Sequence, residues 1–159
     1  MKKIMFILMT AVVMASCGPS QVQKEARKTF NGDWTLSNIS FPNSSEALQV
    51  TLFGDATADC LRNSSWRFIS NNNEGTYTLT SPSCDSSMRY FNWSIDEVDA
   101  ASGTYNLLLK PTNEDHKSTS GNQGFRLNIV TLTDTNMVWE QTVNFEGKPF
   151  TIRMNFNKN

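Results

Sequence analysis

Few residues in this chain are of a type and spacing to carry covalent or metal chemistry. The one histidine, His116, stands between Asp115 and Lys117 in a polar stretch. Such a setting predicts a solvated loop tip, not a base held against a nucleophile by a third group. Zinc binding lacks ligands: no second His exists, and Cys60 and Cys84 are better used on each other. "DEVD" at 96–99 gathers three carboxylates, but an EF-hand calcium spacing is absent, so a charged turn is predicted. No Gly-x-Ser-x-Gly motif and no phosphate-cradling glycine loop occurs. The residues predict no catalytic site, no metal site and no cofactor.

The remaining cysteine, Cys17, has a different setting. Lys2 and Lys3 precede an apolar run at 4–14 that only Thr10 interrupts. That run is too short to cross a bilayer as a helix and has the length of a signal-peptide core. It ends in "MASCGPS", with Ala15 and Ser16 just before Cys17. This resembles the lipobox of bacterial lipoproteins. The resemblance implies a leader at 1–16, a lipid on Cys17, and a polar tether at 17–28. One acyl chain holds a membrane marginally and several hold it stably, at about 0.8 kcal/mol per buried CH₂. Gly18 stands where, in enterobacterial lipoproteins, an Asp marks retention in the inner membrane. The resemblance therefore implies the outer membrane, and the lack of an acidic run after Cys17 favours its periplasmic face. With Cys17 lipidated, Cys60 and Cys84 are an even pair in an oxidising compartment, and a disulfide is predicted.

Composition bounds the rest. A 16-residue leader removed from 159 leaves a chain of single-domain size. Fourteen basic against 15 acidic residues, with no Lys/Arg cluster, give no electrostatic footprint for nucleic acid.

From residue 29 onward the apolar period is two, with turn signals every 8 to 15 residues. Eight strands are predicted, at 32–41, 65–70, 75–81, 88–95, 104–110, 124–132, 136–145 and 148–157. No helical crossover separates them, so neighbours should be antiparallel. On the last two, Met137, Trp139, Val143 and Phe145 must share a face with Phe150, Ile152, Met154 and Phe156. A two-residue turn at Glu146-Gly147 achieves this, setting Val143 opposite Phe150 and Trp139 opposite Met154. Pro149 cannot donate to a ladder and suggests a local bulge. One apolar face on each of eight strands is buried most economically by closing the sheet on itself. The longest connections are 42–64 and 111–123. The first holds "SSEALQ" and "DATADCL", either of which could form a short helix capped by Ser45 or Asp55.

Gly32 and Trp34 in "NGDW", "LTDTNMVW" at 132–139 and Arg153 in "FTIRMNF" together resemble the lipocalin family. Within it, the chain is most similar to short lipocalin-like lipoproteins of Gram-negative envelopes, especially of Bacteroidota. The resemblance spans 29–159 and implies an all-β, eight-stranded, antiparallel up-and-down barrel. In such a barrel the end of the last strand lies beside the start of the first. That brings Arg153 near Trp34, where a guanidinium over the indole adds about 0.5–2 kcal/mol. Gly32, Trp34 and Arg153 are the expected barrel floor.

Strand polarity gathers both long connections at the opposite end, so the predicted shape is a cup. Cys60 and Cys84 are equidistant from Asn72 in the intervening turn, which places both near the mouth. Their bond would either pin the 42–64 segment beside the entrance or serve stability alone. The expected lining is Phe68, Tyr77, Phe91, Trp93, Leu107, Phe125, Leu127, Trp139, Gln141, Val143 and Ile152, with Tyr77 and Gln141 able to orient a ligand. Such a lining suits a small hydrophobic ligand and equally suits a packed core. The expected function is a lipid-anchored, non-enzymatic protein that binds or carries such a ligand. The alternative is a filled barrel whose rim contacts another envelope protein.

Overall fold

The computed structural model describes residues 20–44, 49–99 and 104–159. The leader, Cys17 and the suggested Ser45 cap lie outside the described residues. The elements are α1 (Gln21–Phe30), β1 (Gly32–Ser40), β2 (Thr51–Leu52), β3 (Ala56–Thr57) and α2 (Ala58–Leu61), then β4 (Ser65–Ile69), β5 (Glu74–Thr78) and β6 (Arg89–Asp99). β7 (Thr104–Thr112), β8 (Phe125–Leu132), β9 (Asn136–Phe145) and β10 (Lys148–Lys158) complete the chain.

The eight long strands close into a barrel in the order β1-β10-β9-β8-β7-β6-β5-β4, and each neighbouring pair is antiparallel. This is the up-and-down barrel expected from alternation. β10 returns beside β1, from Trp34 opposite Lys158 to Ser40 opposite Arg153. The small β2–β3 hairpin sits within the 42–64 connection.

The β9–β10 register is the expected one, with Val143 opposite Phe150 and Trp139 opposite Met154. Glu146 and Gly147 have φ of 50° and 78°, as a two-residue hairpin turn of matching twist requires. The bulge suggested by Pro149 does not occur, since the ladder runs unbroken through Pro149 opposite Asn144. Phe145 and Lys148 close the turn, so the next pair is one that exchanges no ladder bonds, and the missing Pro149 N–H faces away from β9. On that outer side β1 has already ended, and the Asn43 side chain takes over. Its Nδ2 donates to the Pro149 carbonyl (2.7 Å) and its Oδ1 accepts from the Thr151 N–H (2.9 Å).

The polar segment expected to be a tether differs more. Residues 21–28 belong to α1, which opens on a reciprocal capping box between Ser20 and Gln23. Ala26 and Phe30 are buried, and Arg27 donates to the Ser70 carbonyl (2.6 Å) and to Asn73 in the β4–β5 turn. A helix thus lies across one end of the barrel. Two smaller differences follow the same logic of local bonding. α2 is capped by the Thr57 side chain, which accepts from Cys60 N–H, and not by Asp55. Residues 96–99 extend β6 and form no turn, and Asp96 pairs with Arg126 on the outer wall.

The core is a column of aromatic rings. Trp66 is fully buried and touches Phe53, Phe68, Tyr77, Phe91, Trp139 and Phe156, with ring centroids 4.3–6.3 Å apart. Its indole N–H donates to Ser64 Oγ (2.8 Å), which satisfies the one polar atom the ring carries inward. Gly75 makes this packing possible: a Cβ there would lie 2.3 Å from the Phe91 ring and 2.7 Å from the Arg67 carbonyl.

Candidate functional site

The two ends of the barrel have different chemistry, and the closed end contains the expected floor. Phe30 at the foot of α1 enters the barrel and meets Phe68 and Trp93, each at 5.4 Å. Trp34, fully buried, donates its indole N–H to the Phe30 carbonyl (2.8 Å). The cation over Trp34 is Lys158, with Nζ 5.0 Å from the ring, and not Arg153. Lys158 also donates to the Thr29 carbonyl (3.0 Å). Two orphan carbonyls at the C-terminus of α1 are thereby satisfied. Gly32, with φ of 120°, turns the chain from helix into strand, and its absent Cβ leaves Lys158 room at 3.3 Å.

Arg153 lies five residues too early in β10 to reach the floor. It sits opposite Ser40, on the outward-facing parity, and donates Nε to Glu140 (2.7 Å) across the β9–β10 pair.

The predicted lining residues mostly fill the barrel. Phe68, Phe91, Trp93, Leu107, Leu127, Trp139 and Ile152 are all at most 2% exposed, packed against one another and Trp66. They form a core, as the alternative use of the same alternation allowed. Val143 is exposed, on the part of the β9–β10 hairpin that extends past the mouth, and Gln141 is half-buried below it. Of the predicted lining, Tyr77 and Phe125 border the space at the mouth.

That space is a cleft of about 830 Å³ at the mouth. Its floor is Phe53, Tyr77 and Phe125; Arg89 and Met88 come from the start of β6 and the turn before it, and Asn113, Glu114, Ser120 and Gln123 from the 113–124 loop. Thr112, 6% exposed, borders it with an Oγ1 that has no partner among the described residues.

The 113–124 loop is held by its own polar side chains. Asn113 Oδ1 accepts from the N–H groups of Asp115 and Lys117, and Ser118 Oγ accepts from those of Ser120 and Asn122. His116 is exposed in this loop, as expected of a solvated tip, and its Nε2 lies 3.3 Å from Glu74 Oε1 on the barrel wall.

The other side of the cleft is the β2–β3 tip. Phe53 inserts between Trp66 (5.7 Å) and Phe125 (5.4 Å). Asp55 Oδ2 accepts from the Tyr77 hydroxyl (2.8 Å) and from Arg89 Nε (2.6 Å). Burial, together with this carboxylate, pushes the Tyr77 hydroxyl far above its ordinary pKa. Asp85 in the same rim is held below the usual carboxylate range by the Ser87 hydroxyl and backbone N–H. The Cys60–Cys84 disulfide forms as predicted, with Cα atoms 5.8 Å apart, and ties α2 to the β5–β6 loop. Sequence reasoning missed Phe53, Asp55 and Arg89. The one signal for them was "FGD", a turn triplet with an aromatic, inside a long connection.

A closed, antiparallel, eight-stranded up-and-down barrel defines the fold class, whose interior is either filled by side chains or left open for one small ligand. A family model described as a lipocalin-like domain matches residues 30–139, and the chain belongs to that family. No curated protein matches it.

Proposed function

We propose that this protein binds one small, largely apolar molecule at the mouth of its lipocalin-like barrel while a lipid on Cys17 holds it in the cell envelope, at the periplasmic face of the outer membrane. The mouth cleft carries the reading. Its aromatic floor of Phe53, Tyr77 and Phe125 supplies contact area, and Thr112, Asn113 and Gln123 supply the few polar groups that orient a ligand. The filled lower barrel moves the site upward from the interior to the rim, and makes the bound molecule amphipathic instead of wholly greasy. Native mass spectrometry of protein extracted from envelopes tests this. One small-molecule adduct is expected, reduced by Phe125→Glu; folded protein that is uniformly free of adduct contradicts it.

A second reading rests on the projecting β9–β10 hairpin, where Val143 and Phe145 are exposed (37% and 47%) beyond the barrel. This is the surface expected of a filled barrel that contacts another envelope protein. Crosslinking from a photoreactive residue at 145 in intact cells would capture a discrete partner on this reading and none on the first.

A further inference from the structure

The mouth holds a preformed seat for an anion, and the chain itself sits in it. Arg89 is fixed mainly by the barrel wall and the loop before it: Nη1 donates to the carbonyls of Asp85 (2.8 Å) and Ser87 (2.7 Å). Its guanidinium lies 5.8 Å from the Tyr77 ring, on the neighbouring strand. These contacts orient Nε and the Tyr77 hydroxyl toward one point. The Asp85 carboxylate reaches only Nη2, at 3.5 Å, from an exposed position. The atom at the shared point is a single oxygen, Oδ2 of Asp55.

The segment that delivers this oxygen is shaped like a guest. Asp55 and Phe53 sit on a three-residue tip between Leu52 and Ala56, joined by only two residue pairs of β-ladder. Phe53, 5% exposed, has φ of 57°, a left-handed backbone that an L residue with a bulky side chain adopts at a cost. Gly54 follows at φ 64° with open space around it. The tip therefore presents a carboxylate to Tyr77 and Arg89 and an aromatic ring to Trp66 and Phe125, at the edge of the 830 Å³ cleft. The disulfide at Cys60 lies beyond α2's start, so the tip can leave while the rest of the segment stays tied.

We propose that the β2–β3 tip is an internal stand-in for ligand: Asp55 occupies the seat of an anionic head on Tyr77 and Arg89, Phe53 the place of an apolar body. The ligand class is then a small monoanionic amphiphile, which enters by displacing this tip. The proposal rests on the mouth-binding reading above and adds to it the charge of the ligand and the group it must displace. Neutral molecules of the same shape fill the cleft but gain nothing from the Tyr77–Arg89 pair.

Two fluorescent probes with one skeleton separate these claims: 1-anilinonaphthalene-8-sulfonate, an anion, and N-phenyl-1-naphthylamine, its uncharged parent. Each is titrated into wild type, Asp55→Asn and Phe53→Ala, with near-ultraviolet circular dichroism as the check on folding. Asp55→Asn is expected to tighten the anion at least tenfold and the neutral probe less than twofold, and Arg89→Met added to it should abolish the gain. Phe53→Ala leaves the head seat taken, so it should favour the neutral probe over the anion, and it serves if Asp55→Asn does not fold. Equal gains for both probes in every variant, or none for the anion, overturn the proposal. If the neutral probe still binds wild type in that case, mouth binding stands and only the stand-in falls; if neither probe binds any protein, both fall.

Discussion

The closed end and the mouth are built from the same aromatic stock and behave as opposites. At the closed end Phe30, Trp34 and Phe68 are fully buried, and two polar side chains tie the floor to the helix end: the Trp34 indole on the Phe30 carbonyl and Lys158 on the Thr29 carbonyl. At the mouth, aromatic rings border an open cleft, and a carboxylate–phenol–guanidinium cluster holds a short tip over it. The difference is one of covering. A ten-residue helix with a capped N-terminus seals the first end, while a two-pair hairpin only rests on the second. The comparison suggests that stability is stored low in the barrel and exchangeable contacts are kept high.

Substitutions should reveal that gradient, the largest effects coming from the sealed half. Phe30→Ala removes a ring with no exposure and is expected to cost about 3–5 kcal/mol in urea unfolding. Phe125→Ala, half-buried at the cleft, should cost about 1 kcal/mol. Similar losses at both positions would erase the distinction between the ends. Next comes the Cys60–Cys84 bond, which spans a separation of 24 residues. Reducing it is expected to cost about 3 kcal/mol by loop entropy, read as a lower urea midpoint for the double Ser variant.

The two cations on β10 sharpen the contrast further. Lys158→Met should cost about 1–2 kcal/mol, because it removes a cation over a buried indole and a charged hydrogen bond to the helix end. Arg153→Met breaks an ion pair whose Arg side chain is 43% exposed, and should cost under about 0.5 kcal/mol. Tyr77→Phe removes one hydrogen bond and should cost about 1 kcal/mol at neutral pH, between the two cations. Its signature is the pH profile. The folded Tyr77 holds its proton above the unfolded value near 10, so this contribution is fully present below about pH 10 and lost as pH rises. Wild type should lose about 1.4 kcal/mol more per pH unit than Tyr77→Phe above that point, measured by urea unfolding between pH 9 and 11.

What the sequence disclosed follows from how local each signal is. Alternation is local, and all eight barrel strands were legible to within a few residues, including the β9–β10 register. Barrel closure is not. Placing Arg153 over Trp34 required the offset between the first and last strands, which no short-range pattern encodes, and the cation proved to be Lys158. α1 escaped notice because only Val22, Ala26 and Phe30 mark its apolar stripe, and Val22 is itself exposed. The Ser20-x-x-Gln23 capping box was the available sign. The filled interior was beyond reach for a different reason: an inward Phe reads the same whether it faces a ligand or another Phe. Only the sum of side-chain volumes, with Phe30 and Phe53 added from outside the strands, decides that the lower barrel closes.

The central claim is that the space for a guest lies at the rim and not inside the aromatic column. Backbone amide chemical shifts followed during titration with N-phenyl-1-naphthylamine test it most directly. The account predicts perturbations confined to 53–55, 77, 88–90 and 111–125. Perturbations centred instead on Phe30, Trp34, Phe68, Trp93 and Trp139 would contradict it.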